Sequence, residues 1–183
     1  WLGGIGVIVM AITILPLLNI GGMQLIRIES SDTTEKILPK TREITLIISI
    51  VYLVLTIACA GAYWFFGMNV FDSIAHSMTT IATGGFSTHD QSIGFFESEA
   101  IHWIIILGMI MGSLPFLLYL EVARGRTQSL LKDTQVWTFL GIILLSVLCI
   151  SLWRTFSNGA EAESSFLDST FNTISIITGT GYS

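Results

Sequence analysis

Charge is what this chain has least of. Only 11% of its 183 residues are charged, while 52% are apolar. Mean hydropathy reaches +0.76, more than a soluble core of this length can bury. No nucleic-acid partner is expected. Cysteine is scarce as well: Cys59 and Cys149 each fall inside an apolar run and read as small apolar residues rather than a redox pair. No basic start, short apolar run and small-residue cleavage site opens the chain, so no signal peptide is read. The sequence begins at Trp1 inside an apolar run and closes on a glycine phrase. It is expected to be an internal piece of a longer protein. There is no phosphate-binding glycine loop.

Long hydrophobic runs, in contrast, abound. Trp1–Ile20, Ile44–Gly67, Ile101–Leu120 and Val136–Trp153 are each long enough to cross a bilayer core, which takes roughly 20 apolar residues. Cysteines aside, His102 is the one side chain in them that titrates near neutral pH. Basic residues are missing from half of the connections. Arg27, Lys36, Lys40, Arg42, Arg124, Arg126 and Lys132 lie in 21–43 and 121–135, leaving Arg154 alone on the other side. Lys and Arg bias sets orientation, so those two connections are expected to be cytoplasmic. Leu25, Ile26 and Ile28 give 21–43 an interfacial stretch.

The chain repeats. Laying 71–87 on 167–183 pairs Asp72 with Asp168, Ser73 with Ser169, Gly85 with Gly181, Phe86 with Tyr182 and Ser87 with Ser183. "ILPLLNI" at 14–20 resembles "SLPFLLYL" at 113–120, with Pro16 and Pro115 read as kinks. The apolar segments at about 69–82 and 165–177 cover only half the hydrocarbon thickness. Each starts and ends on the outer side, so each must dip in and return. Asp72-Ser73 and Asp168-Ser169 are placed to cap the starts of these helices. Glycines at their far ends let the backbone turn back, and backbone at that depth must be buried in protein or line a cavity. The expectation is a pore helix followed by a pore-lining strand.

Carbonyl oxygens can replace the water around a dehydrated cation without a full charge that would trap it. Thr83-Gly84-Gly85-Phe86-Ser87 and Gly179-Thr180-Gly181-Tyr182-Ser183 suit that task, with the aromatic packed outward as a brace. These phrases resemble degenerate copies of the potassium-channel filter. "TTIATGGFSTHD", "GTGYS" and "WLGGIGVIVMAI…LPLLNIGGMQL" resemble TrkH-type subunits of bacterial potassium uptake systems, a family that includes KtrB and the plant HKT transporters.

The resemblance implies an all-α polytopic membrane protein of repeated helix–pore-helix–filter–helix units. Residues 1–22 would be the last helix of a first unit, 23–43 a cytoplasmic connection and 44–120 a complete second unit. A second connection, 121–135, would lead to an incomplete third unit, 136–183. It implies potassium held by the backbone carbonyls of Thr83, Gly84, Gly85, Phe86, Gly179, Thr180, Gly181 and Tyr182, and no covalent cofactor. Its implied surroundings are membrane lipid in the bacterial inner membrane, a cytosolic nucleotide-binding regulatory subunit of the TrkA type, and a second copy of the subunit. Ser87 and Ser183 stand where the channel filter has its second glycine, which implies fewer well-formed ion sites. A sodium or mixed-cation transporter of the same fold remains an alternative. So does a membrane enzyme using His76 and His102, although the repeat puts Asn172 opposite His76. His89 with Asp90 reads as a solvated loop, and the glycines at 3–6 as a packing device.

Overall fold

A computed structural model describes residues 1–4, 6, 7, 10, 34–123, 125, 127–158 and 162–183. Most of the first expected span, with Pro16, and the interfacial stretch at 25–28 lie outside the described residues. The helices are α1 (Thr34–Phe65), α2 (Val70–Ile81), α3 (Glu99–Ser113), α4 (Phe116–Ala123), α5 (Thr127–Lys132), α6 (Thr134–Asn158) and α7 (Ala162–Ile177), with a 3-10 turn at Ser92–Phe95.

Two helices are long and apolar enough to cross a membrane, over Thr45–Phe65 and Thr134–Phe156. Only 22% and 17% of their apolar windows are buried in the protein, which separates them from the core helices of a soluble fold. Leu46, Ile50, Val54 and Ile57 of α1, with Leu144, Leu145, Leu148 and Leu152 of α6, stay exposed. Lipid is the solvent that accepts such a face.

The expected span at 101–120 is not one helix. α3 ends at Ser113, Leu114 is extended at φ −71° and ψ 148°, and α4 starts at Phe116. Pro115 explains the break: its ring disfavours a helical conformation in the residue before it, and it brings no N–H for the carbonyl four residues back. That carbonyl, on Met111, accepts instead from the Leu114 N–H at 3.4 Å and, more closely, from the Tyr119 hydroxyl at 2.6 Å. The proline thus costs the helix one bond, and a side chain restores it.

α2 and α7 match the short segments expected from length, and both are inside out. Asp72, Ser73, His76, Ser77 and Thr80 of α2 are buried while Val70, Phe71 and Ile74 are exposed. In α7, Ser169, Thr170, Thr173 and Ser175 are buried and Ile176 is exposed. α3 wedges against α2 through Gly108 and Gly112. A Cβ on Gly108 would sit 2.8 Å from Thr80 Cγ2, and one on Gly112 would sit 3.0 Å from the Ile81 carbonyl oxygen. Small residues four apart let backbones approach this closely. Tyr52, Cys59 and Tyr63 of α1, Ile105 and Met109 of α3, Ile143 and Val147 of α6, and Phe171 and Ile174 of α7 complete one core. Near the start, Trp1 reaches α1, donating from Nε1 to Thr56 Oγ1 at 2.9 Å, and Gly4 lies against Tyr52.

Candidate functional site

The site grows from α2. Its cap is Asn69, whose side chain accepts from the Asp72 N–H at 2.8 Å. The expected caps are otherwise engaged. Ser73 donates back to the Asn69 carbonyl at 2.8 Å, and the Asp72 carboxylate turns toward the segment that follows the helix. It accepts from Thr88 Oγ1 at 2.6 Å, His89 Nε2 at 3.0 Å and Asn69 Nδ2 at 2.7 Å. Burial pushes the Asp72 carboxyl up, but the bonds from Thr88 and His89 outweigh this, and the net displacement is below the usual carboxylate range.

One turn on, His76 joins the same segment. Its Nδ1 lies 2.8 Å from the Asp72 carbonyl, which can only accept, so Nδ1 carries the proton. Nε2 is then the acceptor for the Ser87 hydroxyl at 2.8 Å. Ser87 Oγ in turn accepts from the His89 N–H at 3.1 Å. A further turn on, Thr79 donates to the Phe86 carbonyl at 2.9 Å, and its own carbonyl accepts from the Gly84 N–H at 2.7 Å. Residues 72, 76 and 79 lie along one face of a helix, and they hold 88–89, 87 and 86 in antiparallel order. His89 is therefore no solvated loop residue: besides Asp72, it stacks on Phe95 with centroids 3.7 Å apart.

The second copy repeats the backbone. Positive φ recurs at Thr83 (49°) and Gly85 (63°), and at their repeat partners Gly179 (72°) and Gly181 (85°), with Gly84 and Thr180 between them in ordinary conformation. Ser175, the partner of Thr79, donates to the Tyr182 carbonyl at 2.7 Å. Among the described residues, no hydrogen bond reaches the carbonyls of Thr83, Gly84, Gly85, Gly179, Thr180 or Gly181.

The two return segments meet. A Cβ on Gly85 would collide with the Thr180 carbonyl oxygen and lie 2.9 Å from the Gly181 carbonyl carbon. Tyr182, 3% exposed, crosses to α2, where its hydroxyl meets Thr79 and Thr80 and donates to the His76 carbonyl at 3.1 Å. The Ile93 N–H donates to the Ser183 carbonyl at 3.2 Å, and the Ser183 N–H to Ser92 Oγ at 3.3 Å. Tyr182 thus braces its strand. Phe86, 77% exposed, has no such cover among the described residues.

All eight expected site residues therefore lie on these two segments. Sequence reading missed the residues that hold them: Thr79, Ser175, Ser87, Thr88 and His89. The spacing of polar residues at 72, 76, 79 and 80 within an apolar run was the available signal. His102 stands apart from His76 in its bonding: its Nδ1 meets the Ser98 carbonyl at 3.0 Å, and its ring lies edge-on to Phe171.

Lipid-facing helices, together with short inside-out helices that end in glycine turns, define an all-helical membrane protein built around paired return segments. Residues 1–136 match the TrkH family of cation transport proteins, and the chain belongs to that family. It is 44% identical over 183 residues to the Trk system potassium uptake protein TrkI of Halomonas elongata, covering 100% of this chain and 37% of that protein. Against the Trk system potassium uptake protein TrkH of Escherichia coli, identity is 38% over 186 residues, covering 100% of this chain and 38% of the relative. The crystal structure of the potassium transporter TrkH from Vibrio parahaemolyticus matches with a TM-score of 0.78 at 37% identity, over 96% of this chain and 36% of that one. The chain spans under two-fifths of the length of these relatives. Membership of a transporter family leaves the membrane-enzyme reading of His76 and His102 without support: the chain is no enzyme.

Proposed function

We propose that this chain forms part of a potassium-conducting pore, in which the carbonyls of residues 83–86 and 179–182 replace the ion's water. The observation that carries the reading is the shared backbone. Two short helices each end in a pair of left-handed residues two apart, and these leave three carbonyls unpaired on segments that touch. Unpaired carbonyls at membrane depth need a ligand, and a monovalent cation supplies one. Phe86 and Tyr182 contribute less, because each carbonyl already spends a lone pair on a hydroxyl.

In this reading 44–120 is a complete unit, 136–183 belongs to a next one and 1–22 to a previous one. Basic bias puts 23–43 and 121–135 in the cytoplasm and the return segments at the outer side of a bacterial inner membrane. Tyr182 docks on the short helix of the unit before it. By the repeat, Phe86 docks on the corresponding helix of an earlier unit. A TrkA-type nucleotide-binding subunit meets the cytoplasmic face, and a second copy of the subunit completes the assembly.

The test uses the complete subunit in cells without other potassium importers, with rubidium and sodium uptake normalised to membrane abundance. Gly85→Ser and Gly181→Ser should each lose rubidium-over-sodium discrimination. Gly85→Ser should lose more, because its Cβ meets the neighbouring backbone, whereas a Cβ on Gly181 meets nothing within 4 Å. Gly4→Ser should leave discrimination intact. Wild-type discrimination in both filter variants would sink the reading, and a preference for sodium in the unaltered protein would shift it to a sodium transporter.

A further inference from the structure

Thr83 is the strained residue of the site. It is β-branched and holds φ at 49° just past the end of α2, where its N–H donates to the Thr80 carbonyl at 3.0 Å and the Gly84 N–H to the Thr79 carbonyl at 2.7 Å. A β-branched residue keeps this conformation only when its surroundings over-determine it. Its repeat partner is Gly179, which adopts φ 72° freely. The segment after Thr83 is also the one held residue by residue along α2: Phe86 by Thr79, Ser87 by His76, and Thr88 and His89 by Asp72. In the third unit, Asn172 makes the same backbone bond as His76, to the Asp168 carbonyl at 2.9 Å. Its shorter side chain is exposed and makes no bond to Ser183 among the described residues. The strain at Thr83 and the His76–Ser87 bond occur together in one copy, and the matching residues Gly179, Asn172 and Ser183 show neither.

Resting on the pore reading above, we propose that His76 and Asp72 are positioning residues for ion discrimination. They latch 87–89 to α2, and the latch keeps Thr83 in its left-handed conformation with its carbonyl turned toward the ion. Without the latch, Thr83 relaxes to an ordinary backbone angle and its carbonyl leaves the pore side. A glycine at that position takes the same angle without strain, as Gly179 does at φ 72°.

The experiment measures the rubidium-to-sodium uptake ratio of the complete subunit, normalised to membrane abundance, for His76→Ala and Ser87→Ala. Each is made in the natural chain and in a Thr83→Gly background. In the natural chain the ratio should fall roughly tenfold, the factor that corresponds to about 1.4 kcal/mol. In the Thr83→Gly background the same substitutions should change it less than about twofold, and His76→Gln, which keeps an acceptor for Ser87, should recover most of the loss. A merely structural His76 would lower the ratio equally in both backgrounds, and that outcome, like an unchanged ratio in the natural chain, overturns the proposal. Ser87→Ala removes one hydroxyl and carries the same test if His76→Ala fails to reach the membrane. Gly85→Ser, assayed in parallel, separates the two levels of argument. If it alters the ratio while the latch variants do not, the latch fails and the pore reading stands. If it too leaves the ratio unchanged, the pore reading itself fails.

Discussion

α2 and α7 come from aligned sequence, yet they hold their return segments in different ways. Both end in left-handed residues two apart, and both place a hydroxyl under the carbonyl of the aromatic, from Thr79 and from Ser175. There the likeness stops. α2 grips its own segment with Asp72 and His76. The segment after α7 is gripped by the neighbouring unit, through Tyr182 on α2 and Ser183 on the turn at 92–93. α2 is therefore the hub of the pair, since a change in it reaches both segments. Over 83–87 and 179–183 the copies share their backbone geometry, and they differ in the side-chain bonds of Ser87, Tyr182 and Ser183's neighbours.

The strongest way to break this comparison is Asp72→Asn. The carboxylate is buried and accepts from three side chains, and charge-assisted bonds of this kind contribute about 1.5–3 kcal/mol each. An amide keeps one acceptor and turns an N–H₂ toward a donor. The folded Asp72 carboxyl titrates below the usual range, so its contribution is complete above the unfolded carboxylate pKa of about 3.9. It is lost as pH falls through the folded value. Thermal unfolding of the purified subunit should show a large loss for Asp72→Asn near neutral pH and a smaller one near about pH 3. A pH-independent difference would mean that the charge plays no part.

Tyr182→Phe comes next. It removes the hydroxyl that, among the described residues, ties the segment after α7 to α2, at a cost of about 1–3 kcal/mol. Ser175→Ala, which removes the tie from that segment's own helix, should cost about 1 kcal/mol. If the order reverses in unfolding measurements, the segment after α7 is held chiefly by α7 and α2 is no hub.

Much of this was legible in advance, for reasons that particular residues make plain. The short helices were fixed by apolar length between two outer ends, and the structure returns Val70–Ile81 for an expected 69–82. Glycine phrases announced left-handed turns because few other residues tolerate them. Thr83 took such an angle without glycine's help, and only its repeat partner Gly179 hinted at it. Contacts between distant parts left weaker traces. Tyr182 bonds to residues more than 100 positions earlier, and His89 looked solvated because nothing local shows that it folds back on Asp72. Asn69 displaced Asp72 as cap for a related reason: the carboxylate had a better use. Pro115 was read as a kink, and it broke the helix outright.

The smallest effect should come from Arg154→Ala, and it probes the same asymmetry from the third unit. Arg154 stands beside the start of α7, with Nη1 donating to Ser169 Oγ at 3.3 Å and Nη2 3.9 Å from the Asp168 carboxylate. The Arg154 and Asp168 side chains are 32% and 60% exposed. Water screens a pair this open, and holding two flexible side chains together costs entropy, so such contacts contribute about 0–1 kcal/mol. Arg154→Ala should therefore shift unfolding of the complete subunit far less than Asp72→Asn, and what shift remains should shrink in high salt. A loss as large as that of Asp72→Asn, and insensitive to salt, would mean that α7 is anchored at its start as firmly as α2. The contrast between the starts of the two short helices would then disappear.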